Sequence, residues 1–417
     1  MLAVGSNGRI GKEAEDGQMN ASSELRRDDG PRGRAGKEGE LARNVPARVK
    51  YRPPWRRLGY RTARRRIVQW LLRYAFPRVG KNLAGVGQLA GVVIHRILVL
   101  RPNHRLGNIL LLTPLLAELR RIFPGAEIDV LVAGNSTKEL LHLFSSVHHM
   151  HALPQRLVRH PARTIAMVAR LRRIRYDLAV DASPNSHSSH VALALMSSRY
   201  RISVPERGDA TWAPLMLSAP THFAKLPVFL LRSALALEDG MDATSYPPLT
   251  VRLTPLEREM GRQILDGLLK SQDSVPFRTT LGVFANATGA KCYAGSWWLE
   301  FLAAITAALP SCAVIEFVPA DGISRLENRF PTYYSTSVRR LSSVISNLTC
   351  FVSGDCGVMH LASASSVPTI GLFSASDPSR YGPYGKVNCS LLTTGKTPRQ
   401  VADIAIADVL LGGGLPR

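Results

Sequence analysis

The residues best suited to chemistry lie in the second half of the chain, where the run Asp355-Cys356-Gly357-Val358-Met359-His360 follows an apolar β-branched segment. A strand that runs straight into such a turn and then a helix leaves the N–H groups of Cys356, Gly357 and Val358 without intrahelical acceptors. A helix N-terminus of this kind attracts anions. Gly357 permits close backbone approach, and His360, one turn in, can donate to a phosphate oxygen. A second group stands in the loop Thr288-Gly289-Ala290-Lys291, after the strand-like run 280–287. There Lys291 could neutralise a diphosphate while Thr288 and Gly289 add hydroxyl and backbone donors. Glu316 and Asp321, around the end of the run 313–319, are candidates for ribose hydroxyls, the role acidic residues take in doubly wound sheets. No D-x-D occurs, and the five cysteines (292, 312, 350, 356 and 389) have no paired C-x-x-C spacing. Neither a metal, a disulfide framework nor a cofactor is expected.

These groups need strand ends to hold them. From Arg96 onward, β-branched runs alternate with amphipathic stretches, the pattern of parallel sheets covered by helices. In the first half, strands are expected at 96–102, 127–134, 150–154, 178–183 and 201–205, with helices at 108–123 and 161–175 between them. The stretch 218–254 is Pro-rich and weakly patterned, so the domain boundary falls near 250. The second half predicts strands at 280–287, 313–319, 350–355 and 369–374, with helices at 296–309, 338–347 and 359–365. Thr397 and Pro398 read as the cap and first residue of a last helix ending near Gly412, one that could pack back on the first domain. The expected organisation is therefore a disordered tail (1–50), a basic amphipathic segment (51–95) and two Rossmann-like domains (96–250 and 251–417) facing a central cleft.

Charge is distributed unevenly. The chain carries 53 Lys plus Arg against 31 Asp plus Glu, a net charge of +22, yet residues 51–96 hold 11 of the basic groups and none of the acidic ones. Residues 1–50 are too poor in aromatic and branched apolar side chains to offset the entropy of ordering. In 51–78, helical spacing puts Arg65, Arg66, Gln69 and Arg73 on one side and Ala63, Ile67, Trp70, Leu71 and Tyr74 on the other. That division suits an anionic membrane surface, where each basic residue contributes about 1 kcal/mol. It also suits docking on the next domain. A nucleic-acid partner is not expected, because no binding module accompanies the patch. No apolar run reaches the roughly 18 residues of a membrane span and no signal-peptide pattern opens the chain, so the expected location is cytoplasmic, either soluble or at a membrane surface.

Three stretches carry a resemblance. LVLRPNHRLGNILLLTPLLAELRRIFPGAEIDVL (98–131), NATGAKCYAGSWWLEFLAAI (286–305) and FVSGDCGVMHLASASSVPTIGLFSASDPSRYGPYG (351–385) resemble glycosyltransferase family 9, the ADP-heptose:lipopolysaccharide heptosyltransferases. The third is the most specific. The resemblance implies a GT-B fold of two Rossmann-like domains and an inverting, metal-independent transfer of a sugar, heptose from ADP-heptose, onto a lipopolysaccharide core or other glycolipid acceptor. It also implies that Asp355, Cys356, Gly357, Val358 and His360 bind the donor diphosphate, with Lys291 as its cationic partner.

The sequence departs from the family at one place. Heptosyltransferases carry G-D in the turn after the first strand, with the Asp as base, whereas this chain has Gly107-Asn108, and Asn cannot accept the proton. Two replacements are candidates: His104 in the same loop, whose side-chain type titrates near neutrality, and Asp181 at the end of a neighbouring strand. Arg101, Arg105, Gly107, Ser183, Asn185 and His187 lie on the same predicted rim and could hold an anionic acceptor, with Asn108 orienting it. The alternative is a catalytically silent sugar-nucleotide-binding scaffold. An NAD-dependent oxidoreductase is disfavoured, since no G-x-G-x-x-G opens either half.

Overall fold

The computed structural model describes residues 83–417 except 135–143, 145–146, 155–159, 184–185, 206–209, 238–245, 271–278, 386 and 411–417. The tail 1–50, the basic segment 51–78 and Asn185 lie outside the described residues, as does the end of the expected last helix.

In chain order the first sheet is built from β1 (Arg96–Arg101), α1 (Leu106–Leu110), α2 (Thr113–Ile122), β2 (Glu127–Ala133), β3 (Val147–Leu153), α3 (Pro161–Arg172), β4 (Tyr176–Asp181), α4 (His187–Leu195) and β5 (Ser198–Ile202). Helices α5 (Ala213–Ser218), α6 (Leu226–Ala234) and α7 (Pro255–Leu269) lead to the second sheet. That comprises β6 (Thr279–Phe284), α8 (Gly295–Ala308), β7 (Cys312–Phe317), β8 (Thr332–Tyr333), α9 (Val338–Ile345), β9 (Cys350–Gly354), α10 (Gly357–Ala364), β10 (Thr369–Phe373), α11 (Pro378–Tyr381), β11 (Cys389–Leu392) and α12 (Pro398–Ala405).

Every strand pair is parallel. The orders are β3-β2-β1-β4-β5 and β11-β10-β9-β6-β7-β8. Both follow the doubly wound rule: the first strand of each sheet lies centrally, and the winding reverses beside it, between β1 and β4 and between β6 and β9. Ligands bind beyond the carboxyl ends of strands at such reversals, where neighbouring loops part to opposite faces. The fold therefore nominates the loops after β1, β4, β6 and β9.

Two expected elements differ for physical reasons. The stretch 108–123 is two helices, not one. Pro114 lacks the N–H that would continue the ladder, and the Thr113 hydroxyl donates to the Leu110 carbonyl at 2.8 Å. Helix α6 lies inside the stretch read as unpatterned because all nine of its residues are buried, so it has no polar face to create a period. Helix α12 packs on α8 of its own sheet, its Val401, Ala402 and Ala405 joining Trp298, Phe301 and Ile305 in one core.

The largest core runs continuously from Ile97 and Val99 of the first sheet, through Leu249, Val251, Leu253 and Leu265, to Phe317 and Phe351 of the second. Polar ties reinforce the join. The loop 221–224 reaches α11 and the residue after it: the Thr221 hydroxyl donates to the Ser379 carbonyl (3.3 Å), the Phe223 amide to the Arg380 carbonyl (3.2 Å), and His222 Nε2 to the Gly382 carbonyl (2.9 Å). The Tyr384 hydroxyl donates to the Pro247 carbonyl. At α7, Thr254 and Glu257 form a capping box, and Arg339 of α9 bonds Glu257 and the carbonyl of Val251 (3.0 Å).

Candidate active site

A cavity of about 410 Å³ opens between the two sheets at both winding reversals. From the first half, Arg105, Leu106, Gly107 and Asn108 line it. From the second come Asn286, Ala287, Thr288 and Lys291 after β6, then Asp355, Cys356, Gly357, Val358 and His360 after β9. A second cavity of about 490 Å³ adjoins it, lined by Arg101, Asn103, Arg105, Asn108, Ser183 and Ser186 together with Arg380 and Tyr381. Arg105, Asn108 and Tyr381 line both.

At the first cavity the starts of α1 and α10 nearly touch. A Cβ on Gly107 would stand 2.7 Å from His360 Cδ2 and 3.3 Å from Gly357 Cα, and one on Gly357 would stand 3.2 Å from the Gly107 nitrogen. Both glycines are required by close approach rather than by backbone angle. Cys356 is the N-cap of α10, and Asp355 does not cap the helix. Asp355 instead accepts from Lys291 Nζ and, at 2.5 Å, from the Ser376 hydroxyl. Lys291 Nζ also lies 5.4 Å from the Tyr381 ring centre. The Cys356 sulfur sits beside the Val358 and Met359 amides. Burial nonetheless holds its thiol above the usual range, so the neutral thiol leaves the positive helix end uncancelled.

His360 is buried, and its Nδ1 has no hydrogen-bond partner among the described residues. Burial lowers its pKa to about 4; His222, Lys291 and Arg101 push the same way and Asp355 opposes them. His222 is likewise lowered to about 4, chiefly by burial, and it uses both ring nitrogens, Nδ1 accepting from the Ala224 amide at 3.2 Å. In both, the folded chain takes up its proton at lower pH than the unfolded chain, whose value is near 6.5. The stability they confer is complete above about 6.5 and lost as pH falls toward 4, by up to roughly 3 kcal/mol each. Urea unfolding between pH 7 and pH 4 should show this decline, and His222→Gln should flatten it; an unchanged slope in that variant would remove His222 from the account.

The expected bases are placed elsewhere. His104 is exposed and lines neither cavity. Asp181 is buried behind the second cavity. It accepts from the Ser183 amide (2.9 Å), the Ser203 hydroxyl (3.0 Å) and the Ser189 hydroxyl, with His190 Nε2 at 3.2 Å. Burial raises its pKa, but its oxygens are occupied, so its visible work is to hold the loop that carries Ser183. Arg101 is buried, and burial lowers it only to about 10, so it stays charged. It donates to the Ala182 carbonyl and, at 3.0 Å, to Asn108 Oδ1. Asn108 therefore spends its acceptor on Arg101 and offers its amide N–H groups to the cavities.

Both expected ribose ligands are also elsewhere. Glu316 is fully buried and accepts from the Ser324 hydroxyl (2.5 Å) and the Arg325 amide (2.7 Å), bracing the loop after β7. Asp321 pairs with Arg325 at 2.6 Å on the surface. Neither lines either of these two cavities. Gly289 begins a short 3-10 turn at φ +66 and lies beside the lining rather than in it. His187 starts α4. Sequence reasoning passed over Asn286, Ala287, Arg380 and Tyr381, though all four stand inside the motif stretches quoted above.

The fold and the paired cavities define a GT-B scaffold: two Rossmann-like domains with strand ends turned to a common cleft. Comparison with known proteins bears out the family resemblance. Residues 335–406 match the family described as glycosyltransferase family 9 (heptosyltransferase). Among solved structures, a glycosyl transferase family 9 protein from Veillonella parvula is 16% identical with a TM-score of 0.59, covering 77% of this chain and 99% of its own. The E. coli ADP-heptose lps heptosyltransferase II is 18% identical (TM-score 0.55; 76% and 99%). The E. coli heptosyltransferase WaaC with ADP is 17% identical (TM-score 0.53; 76% and 99%). No curated protein matches the chain.

Proposed function

We propose that the protein is an inverting, metal-independent glycosyltransferase that moves a sugar, heptose from ADP-heptose, onto a lipopolysaccharide core acceptor at the cytoplasmic face of the inner membrane. One observation carries the reading: two adjoining cavities share Arg105, Asn108 and Tyr381, one bordered by a helix N-terminus with Lys291 and His360, the other by Arg101, Arg105 and Arg380. The first suits a diphosphate and the second an anionic acceptor. In the proposed step the acceptor hydroxyl oxygen bonds to the anomeric carbon as the carbon–phosphate oxygen bond breaks, and the hydroxyl proton passes to water on the acceptor side of the cleft. The nucleoside diphosphate leaves with that electron pair toward the start of α10 and Lys291, which carries three N–H donors and can hold Asp355 and a phosphate oxygen together. Attack from the acceptor side, opposite the leaving group, inverts the anomeric centre. Asp355 is the single carboxylate in the described lining, and Lys291 already neutralises it, a poor start for a divalent-ion site. That the E. coli enzyme WaaC was solved with ADP supports an adenine nucleotide here. No described helix is long and apolar enough to cross a membrane, so attachment would fall to the basic residues of 51–78.

A second reading, a sugar-nucleotide-binding scaffold without transfer, is favoured by a specific arrangement: Asn108 is locked by Arg101, His104 is exposed and Asp181 is occupied. His360 Nδ1, in the lining of the first cavity, is a buried nitrogen without a hydrogen-bond partner among the described residues.

A panel of sugar nucleotides in thermal-shift and transfer assays separates the readings. ADP-heptose should stabilise the protein and be consumed with acceptor. Lys291→Met should weaken nucleotide binding by about tenfold or more, the scale of a lost charge-assisted contact. Stabilisation without turnover selects the scaffold; no stabilisation by any sugar nucleotide sinks both.

A further inference from the structure

Far from the cleft, the edge strand β3 begins Val147-His148-His149-Met150-His151 and lies beside Glu127-Ile128-Asp129 of β2. The pairing skips there: Ile128 faces Val147, but Asp129 faces His149, leaving His148 as an extra residue in a β-bulge. Successive residues of a regular strand point to opposite faces, and a bulge can re-aim one of them. Here His148 and His149 both turn to one carboxylate oxygen, their Nδ1 atoms 3.9 and 3.4 Å from Asp129 Oδ1. The three donor atoms lie within 4.8 Å of one another. The other oxygen, Oδ2, accepts from the Tyr176 hydroxyl at 2.8 Å and lies 3.6 Å from His151 Nε2.

Two features of this cluster point to a ligand. Asp129 is fully buried, yet its Oδ1 has no hydrogen-bond partner, and buried His151 likewise leaves Nε2 without one. An unpaired buried carboxylate oxygen is costly unless something positive reaches it. Direct charge-assisted hydrogen bonds from protonated histidines would be about 2.7–2.9 Å long. Bonds of about 2.0–2.1 Å to one tetrahedral ion instead place the donor atoms roughly 3.3 Å apart, near the 3.4 Å of His149 and within reach of a small shift for His148 at 3.9 Å.

We propose that Asp129, His148 and His149, with Tyr176 and His151 steadying the carboxylate, form a site for a single Zn2+-class divalent transition-metal ion that fastens edge strand β3 to the sheet. Two imidazoles with one carboxylate select Zn2+ and its neighbours over Mg2+ or Ca2+, which prefer oxygen. The exposed sides of His148 and His149 leave a fourth position to water. The site lies about 13 Å from the carboxyl end of β2, taking about 3.3 Å per residue over the four residues to Ala133, and none of its residues lines either cavity of the cleft. The ion is thus structural, and its presence is independent of the reading of the cleft.

The test uses the full chain, stripped with chelator and titrated with Zn2+ alone by calorimetry, and with Co2+ followed by visible absorption. One equivalent should bind, the Co2+ form should show the intense d–d bands of low coordination, and Zn2+ but not Mg2+ should raise the melting temperature. The paired substitution His148→Ala/His149→Ala, at half-exposed positions that leave the fold intact, should weaken binding by about tenfold or more and abolish the shift; Asp129→Asn should do the same. Failure of the wild-type chain to bind Zn2+, or equal binding by the doubly substituted chain, overturns the site. Nucleotide binding should be the same in all these proteins.

Discussion

Gly107→Ala should lower donor binding and any transfer by about a hundredfold while leaving a folded protein. The new methyl would stand 2.7 Å from His360 Cδ2 and 3.3 Å from Gly357 Cα. The imidazole is buried, so it cannot swing clear as a surface side chain would. Either the ring turns away from the cavity or the start of α1 moves off the start of α10. Both outcomes displace donor-binding groups by an appreciable part of an ångström, and a misplacement near 1 Å can cost about a hundredfold. The stability cost should be smaller, about 1–3 kcal/mol, as for an extra methyl forced into a packed site. Calorimetry with ADP and thermal melts check the two separately. The mechanism also predicts non-additivity: in the Gly107→Ala/His360→Ala protein the clash with the ring is gone, so Gly107→Ala should cost less stability there than in the wild type. Equal costs in the two backgrounds would show that the ring is not what the methyl meets.

The cleft was legible because its residues stand at strand ends in sequence order. β-branched runs give the strands, alternation gives parallel sheets, and doubly wound sheets bring the loops after β1 and β9 to one place. Gly107 and Gly357, 250 positions apart, meet for that reason. What stayed hidden depends on partners remote in sequence. Asp181 looks like a free carboxylate at a strand end, and nothing local reveals that Ser189, Ser203 and His190 would surround it. Glu316 looks like a ribose ligand until the loop after β7 folds back to use it. The histidines of β3 carry no local sign of a metal site, because neither paired cysteine spacing nor a D-x-D accompanies them. The pairing that completes the cluster joins two strands, and only the bulge turns adjacent histidines to one side. Helix α6 escaped because periodicity reports a boundary with water, and this helix has none.

That buried helix also sets up the largest expected loss of stability. Arg232, inside α6, meets Glu118 of α2 at 2.7 Å, with side-chain exposures of 5% and 0%. Arg121 adds a second contact to the same carboxylate at 2.8 Å. Burial alone would raise the Glu118 pKa, but the two guanidinium groups prevail and hold it below the usual carboxylate range. Removing the carboxylate takes the 2.7 Å partner from a buried guanidinium. Glu118→Ala should therefore cost about 3–5 kcal/mol, read as a lower denaturant midpoint at unchanged slope. The Tyr246 ring, 5.3 Å from Arg232 Cζ, offers partial compensation. Glu118→Gln should fall between, because its amide oxygen still accepts a hydrogen bond while the charge is gone. Replacing both partners, Glu118→Leu with Arg232→Met, should recover most of the loss, since the desolvation of two charges disappears together with their attraction. If that double variant is instead less stable than Glu118→Ala alone, the contacts of the arginine stem rather than its charge anchor α6, and the electrostatic account of this join fails.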